Sequence, residues 1–259
     1  MIRDFSSKAH WCLSGGADGA DLYWGGAAES LGHGVIHYSF AGHDTEAPAH
    51  TVVHLTQQQL QEADRYCQKA NKTLRRRFPP GSRKVANLLR RNWYQVRIAH
   101  RCYSVSQFER VRHTVIPLGA VLSDVQVKGG TAWAIQLFID RHNGYPCPCF
   151  FFDQVLCYWF HWIGEGWQRI YEPPPPNTRL YAGIGARELL PMGKLAVKVL
   201  MRSNQPSDTQ AARQQAEKVA RRRFEERARL LEGHKLGSWE SLSDLMKEAL
   251  IHHALTRND

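Results

Sequence analysis

Ser14-Gly15-Gly16-Ala17-Asp18-Gly19-Ala20-Asp21 lies between a short apolar run, His10 to Leu13, and a segment of small residues from Leu22 to Leu31. The apolar run suits a buried strand, and the small residues suit a helix packed close on a sheet, so the stretch reads as strand, glycine turn, helix. A helix N-terminus carries unpaired backbone N–H groups and a partial positive charge, which favours a bound anion. Adjacent glycines let the backbone come near such a group. On this reading Gly15, Gly16 and Gly19 cradle a phosphate, while Ser14, Asp18 and Asp21 offer hydroxyl and carboxylate contacts to a sugar or a metal. The plainer reading is a tight turn that only packs helix on strand.

Two further glycine turns raise the weight of the ligand reading. Gly129-Gly130-Thr131 opens an apolar helix from Ala132 to Arg141, and Gly183 to Arg187 (GIGAR) follows a strand at Arg179 to Ile184. In open parallel sheets, ligands bind at the carboxyl ends of strands, so three such turns can meet in one crevice. That adds Gly129, Gly130, Thr131, Gly183, Gly185 and Arg187 to the candidate set.

Around these turns the pattern predicts strands at Gly34–Phe40, Arg101–Phe108 and Tyr145–Phe152. Helices are predicted at Thr56–Arg77, Ser82–Ile98 and Pro191–Met201, and Val115–Val121 reads as a peripheral hairpin. The expected fold is α/β, a Rossmann-like mostly parallel sheet with helices on both faces and a C-terminal helical extension. Residues 1–206 form the nucleotide-binding domain, with a stiff proline linker at 173–176 as an internal boundary before the final strand-turn-helix at 179–201. Residues 207–259 form a helical tail, with helices at Asp208–Glu232 and Ser241–Leu255.

A content of 43% apolar and 22% charged residues excludes a disordered chain. The most apolar stretch, Tyr145 to Ile163, is interrupted by Pro146, Pro148, Asp153 and His161, so no membrane contact is expected and the location is read as cytoplasmic. The six cysteines lack paired C-x-x-C spacing and are read as reduced thiols. His50 and His54 have helical spacing but no third ligand in reach, so no metal site is assigned. The net charge of +10 is concentrated: no acidic residue stands between Asp64 and Glu109, whereas arginines and lysines are frequent there. That segment, with Trp93 and Tyr94 as stacking surfaces, fits a nucleic-acid backbone; alternatively Arg83, Arg90 and Arg91 surround the phosphate pocket. The aromatic cluster Tyr158, Trp159, Phe160, Trp162 and Trp167 reads as core or as a subunit interface, and a homo-oligomer is expected.

Taken in order, SGGADGAD at 14–21, LLRRNWYQV at 88–96, GGTAWAIQ at 129–136, FFFDQ at 150–154 and YAGIGARE at 181–188 resemble the SLOG superfamily. That superfamily includes the lonely-guy phosphoribohydrolases and the Rossmann core of DNA-processing protein A, with similar proteins in bacteria and phages, which would place a phage-encoded chain in the host cytoplasm. The resemblance covers roughly residues 10–200. It implies glycine turns that hold a nucleotide phosphate and sugar, with or without magnesium. Many relatives place the GIG turn first, whereas here it comes last. The resemblance also puts Arg91 at the position of the lonely-guy catalytic arginine and Gln136 at that of the catalytic glutamate. A neutral amide neither stabilises an oxocarbenium ion nor activates water.

The main expectation is therefore a nucleotide-binding protein in which Arg91 pairs with the phosphate. One alternative is an N-glycosidic hydrolase working through Arg91 and Gln136. The other is a nucleic-acid or assembly protein using the basic segment from Arg65 to Arg101.

Overall fold

The computed structural model describes residues 5–111, 115–142 and 147–202, and in the remainder 217–218, 221–222, 225, 239–242 and 246–247. The chain divides into two compact units between Met201 and Arg202. In the second unit residues 217–218, 221–222, 225 and 246–247 are helical and Trp239–Ser241 is a 3-10 turn, and Arg221 bonds Glu225 and Glu240. The helices expected at Asp208–Glu232 and Ser241–Leu255, and the boundary at 206/207, fall largely outside the described residues.

The first unit is an α/β fold around a nine-stranded, mostly parallel sheet. Its strands in chain order are β1 Trp11–Ser14, β2 Gly34–Phe40, β3 Val52–Leu55, β4 Arg101–Ser106, β5 Val121–Leu122, β6 Cys149–Asp153, β7 Tyr158–Trp162, β8 Trp167–Ile170 and β9 Leu180–Gly185. Across the sheet they run β3-β2-β1-β9-β4-β6-β7-β8-β5. The first six in that order are parallel; the β6-β7-β8-β5 edge is antiparallel. The stretch left unassigned by sequence, Trp159–Trp167, is the β7–β8 hairpin, and the expected hairpin at Val115–Val121 is reduced to the two residues of β5. β3 had no clear signal because only Leu55 of its four residues is buried.

Winding runs from β1 out to β3 in one direction and from β4 out to β6 in the other, so the topological switch point falls between β1 and β4. β9 fills that gap, pairing with β1 through Trp11↔Leu180 and with β4 through Arg101↔Tyr181. The late strand is thus the centre of the sheet. The prolines at 173–176 are accordingly not an internal boundary: Tyr103 Oη donates to the Pro174 carbonyl at 2.7 Å and Arg101 to that of Pro175 at 2.8 Å, anchoring the run where it enters β9.

Helices cover both faces. α1 (Ala20–Ser30) and α6 (Pro191–Arg202) share one face, where Trp24 packs on Gly183 and Tyr103, and Tyr181 reaches Met201. On the other face lie α2 (Gln57–Glu62), α3 (Asp64–Leu74), α4 (Arg83–Val96) and α5 (Gly129–Arg141). There the core joins Leu13, Ile36, Cys102, Phe151, Ala182 and Ile184 of the strands to Cys67, Leu89, Ile135 and Phe138 of the helices. The period-two alternation explains the split: along β9, Ala182 and Ile184 face α4 and α5, while Tyr181 and Gly183 face α1. Thr56 caps α2 through a capping box with Gln59, and Ala63 ends it, so the single helix expected over 56–77 is two.

Candidate functional site

A cavity of about 350 Å³ opens at the carboxyl ends of the central strands, at the switch point. The first glycine turn contributes Ala17 and Asp21, and the loop after β9 contributes Gly185 to Glu188. Ser106 and Gln107 follow β4, Gln154 follows β6, and Lys128 to Thr131 with Ala134 come from the start of α5. α4 closes the wall with Leu88, Leu89, Arg91, Asn92 and Gln95. All three turns therefore reach one cavity, in unequal shares.

The SGGADGAD turn is a packing junction. Ser14 Oγ lies within hydrogen-bonding distance of the carbonyls of Asp21 and Gly183, at 2.8 and 2.6 Å. The Gly15 carbonyl accepts from Arg91 and that of Gly16 from Thr45. A Cβ on Gly15 would fall on the Arg91 guanidinium, and one on Gly19, whose φ is +90°, on the backbone of Arg187. The first N–H of α1, from Ala20, donates to the Ala186 carbonyl at 2.9 Å. This differs from the expectation: Ser14, Gly15, Gly16, Asp18 and Gly19 are outside the cavity lining, because side chains and loops distant in sequence have closed the turn. Gly183 is likewise spent against Trp24.

The Gly129-Gly130-Thr131 turn is different. A Cβ at Gly129 or Gly130 would meet nothing within 4 Å, and no side chain caps the helix. Its first-turn amides, which have no intrahelical acceptors, begin at the cavity wall. The turn is held from behind: Arg76 donates to the carbonyls of Gly129 at 2.7 Å and Val127 at 3.0 Å, Asn92 Nδ2 donates to that of Gly130 at 3.2 Å, and Lys128 N–H to that of Gln107 at 2.9 Å.

Beneath the cavity Arg91 and Asp21 form a buried ion pair, Nη1 to Oδ2 at 3.4 Å. Asp21 also accepts from Gly185 N–H at 3.0 Å and from Gln95 Nε2 at 3.3 Å, so α1, β9 and α4 meet on one carboxylate. Burial is the largest influence on both partners, raising the Asp21 carboxyl and lowering the Arg91 guanidinium, with each charge opposing the other's shift. Arg91 Nε has no partner among the described residues. Exposed Lys128, Arg187 and Glu188 complete the ionic groups of the wall. Gln154 fixes the β9–α6 loop, donating to the Glu188 carbonyl and accepting from Leu190 N–H, both at 2.9 Å.

Among the described residues the chain builds no cage for magnesium, and of the cavity carboxylates Glu188 alone is left to meet the ion. Asp21 is committed to three donors, Asp18 is exposed outside the cavity, and among the described residues no group of three or more His, Cys, Asp or Glu could hold a metal. Gln136 is also displaced from its expected place: it points along α5 away from the cavity and donates to Asp140 Oδ1 at 2.7 Å. It faces a separate hollow because only Gly129, Gly130, Thr131 and Ala134 of that helix turn toward the first cavity.

Part of the basic segment is spent on the fold, while Arg65, Lys69, Lys72, Arg75, Arg77, Arg83, Lys84 and Arg97 are exposed. Arg90 grips Asp64 through Nε at 2.6 Å and Nη2 at 3.0 Å, Arg76 pairs with Glu109, and Arg83 reaches Gln57. Neither Arg83 nor Arg90 lines the cavity. Tyr94 is buried and Trp93 is stacked on Tyr66 at 3.7 Å, so the expected pair of free stacking surfaces is not formed. The buried thiols are inert core groups; Cys67 and Cys147 are each pushed up to about 12 by burial.

Sequence reasoning missed Lys128, Asn92, Gln95, Ser106, Gln107, Gln154 and Glu188. Lys128 had a signal, standing directly before the open turn, and so had Gln95, one helical turn beyond Arg91. Among the described residues no helix is long and apolar enough to cross a membrane. No family model, curated protein or solved structure matched the chain.

Proposed function

We propose that the protein binds a nucleotide or nucleotide-derived phosphate ligand in the switch-point cavity, with the phosphate on the amides that open α5 and not on the first glycine turn. The observation that carries this reading is the pairing of an uncapped helix N-terminus at Gly129-Gly130-Thr131 with the buried Arg91, whose Nε lacks a partner among the described residues. An anion there meets backbone donors and the helix dipole, and Lys128 and Arg187 add positive charge. Leu88, Leu89, Ala134 and Ile184 supply apolar surface for a base or sugar, and Asn92, Gln95 and Gln107 supply polar contacts. The SLOG resemblance points to the same ligand class.

Calorimetry with AMP, ADP, ATP and cyclic and ribosylated nucleotides tests it. Gly130→Asp is the matching variant, because the space beside Gly130 is open and an acid in a first helical turn does not harm the helix. Binding by the wild type that is lost in Gly130→Asp is expected; a panel without binding, or binding indifferent to that variant, overturns the reading.

Hydrolysis at the N-glycosidic bond is the second reading. With Gln136 outside the cavity and Asp21 paired, Glu188 is the cavity carboxylate free of an ion pair among the described residues, and general-base activation of water falls to it. Release of free base and ribose phosphate that disappears in Glu188→Gln supports this reading; binding without release removes it.

A further inference from the structure

On the opposite side of α5 a second hollow, about 440 Å³, lies between the end of α3, the 122–127 segment and the β7–β8 hairpin. Its floor is apolar: Leu74, Ile135 and Trp167 are buried, and Ile139, Val125 and Trp162 are half-buried. Trp162 and Trp167 meet edge to face, with centroids 5.3 Å apart and planes at 67°. The ionic groups of the wall are Asp124, Glu165 and Arg75, so acid outweighs base here in a chain whose net charge is +10. A further acid lies behind: Gln136, in the wall, holds Asp140 Oδ1, and Asp140 Oδ2 is buried with no partner among the described residues.

The hollow is also built at a conformational cost. Arg75 and Asp124, both in its wall, have φ of 52° and 59°, the left-handed region that residues other than glycine seldom occupy. Behind it the backbone is pinned by Gln126 Nε2 to the Leu74 carbonyl at 3.4 Å and by Glu109 N–H to that of Gln126 at 2.8 Å. A cavity of this size, with an apolar and aromatic floor under a polar wall in a fixed frame, suits a small molecule, and the excess of carboxylates decides its charge. We propose that this hollow is a second binding site, for a small organic cation with an aromatic or branched apolar body. The body packs on the tryptophans and Ile139, and the cationic group meets Asp124 and Glu165 across the tryptophan faces. The site is independent of the nucleotide reading, since the two cavities share a helix but no lining residue.

Calorimetry on the full chain with three probes of one shape, 2-phenylethylammonium, 2-phenylethanol and 3-phenylpropionate, tests the proposal. The cation is expected to bind about tenfold tighter than the alcohol, and the anion weakest. Asp124→Gly combined with Glu165→Gln is expected to bring cation and alcohol together; glycine suits the positive φ, so the fold is kept. Val125→Trp, which fills the hollow, is expected to abolish binding of all three, with thermal melts confirming a folded protein. Absence of binding, an order that does not favour the cation, or a cation preference that survives loss of both carboxylates overturns it.

Discussion

Arg91 Nη1 stands 3.4 Å from Asp21 Oδ2 with both side chains less than a tenth exposed, and through this pair the first glycine turn, β9 and α4 are joined beneath the cavity. Removing one partner leaves the other as a buried, uncompensated charge, whereas removing both leaves no stray charge, only a packing defect and the Gly15 carbonyl, Gly185 N–H and Gln95 amide without these partners. Arg91→Met is expected to cost about 3–5 kcal/mol in urea unfolding. The double variant Arg91→Met with Asp21→Leu is expected to cost clearly less than the sum of the single changes. Additive losses would mean that the two groups are not coupled.

The two glycine turns should answer the same substitution in opposite ways. Gly15→Ala sets a Cβ on the Arg91 guanidinium and is expected to lose about 2–4 kcal/mol through the displaced ion pair. Gly130→Ala meets open space within α5 and is expected to change stability by less than about 1 kcal/mol, in the favourable direction. Thermal melts of the two variants side by side decide the matter.

Acid should weaken the fold through its buried histidines. His37, 1% exposed, is lowered from 6.5 to about 4 by burial and by the nearby Arg91 charge, and buried His43 is lowered likewise. A histidine with a depressed pKa is neutral in the folded state and takes a proton more readily when unfolded. The unfolded chain therefore binds more protons between those values, and the stability contribution, complete above pH 6.5, is lost as pH falls toward 4. Unfolding free energy is expected to drop by about 2–3 kcal/mol per fully buried histidine across that window. Half-buried His33 is lowered to about 4 as well, so the slope should shrink by roughly a third in His37→Leu, measured by chemical denaturation at several pH values.

Phosphate affinity should depend on the cationic rim. Arg187→Ala and Lys128→Ala are each expected to weaken nucleotide binding about two- to fivefold, with the loss diminishing at high salt because both groups are exposed. Titrations at low and high ionic strength check this; a loss that is constant with salt would assign the two residues a steric role.

The proline run should behave as part of the sheet. Tyr103→Phe removes the hydroxyl that donates to the Pro174 carbonyl at 2.7 Å and is expected to cost about 1 kcal/mol in thermal unfolding. A neutral result would leave the run as a free linker.

Most of the elements could be read from residue pattern, because strands such as Gly34–Phe40 and helices such as Pro191–Arg202 carry their periodicity and caps locally. The misreadings share a cause. β3 exposes most of its short length, and the β7–β8 hairpin is aromatic on both faces, so neither alternates. Trp93 and Tyr94 stand side by side in sequence, but only packing shows that one is stacked and the other buried.

The sequence by itself marked three glycine segments, since glycine content, apolar runs and helix periodicity are local properties, although Gly183 and Gly185 lie within β9 and not in a turn that opens a helix. Only the tertiary structure decided which turn is open. Gly15, Gly16 and Gly19 are closed by Arg91, Thr45 and Arg187, residues 29 or more positions away, whereas Gly129 and Gly130 face free space. A turn's vacancy is a property of what the fold brings against it, and insertion of the last strand between the first and the fourth brings those groups together.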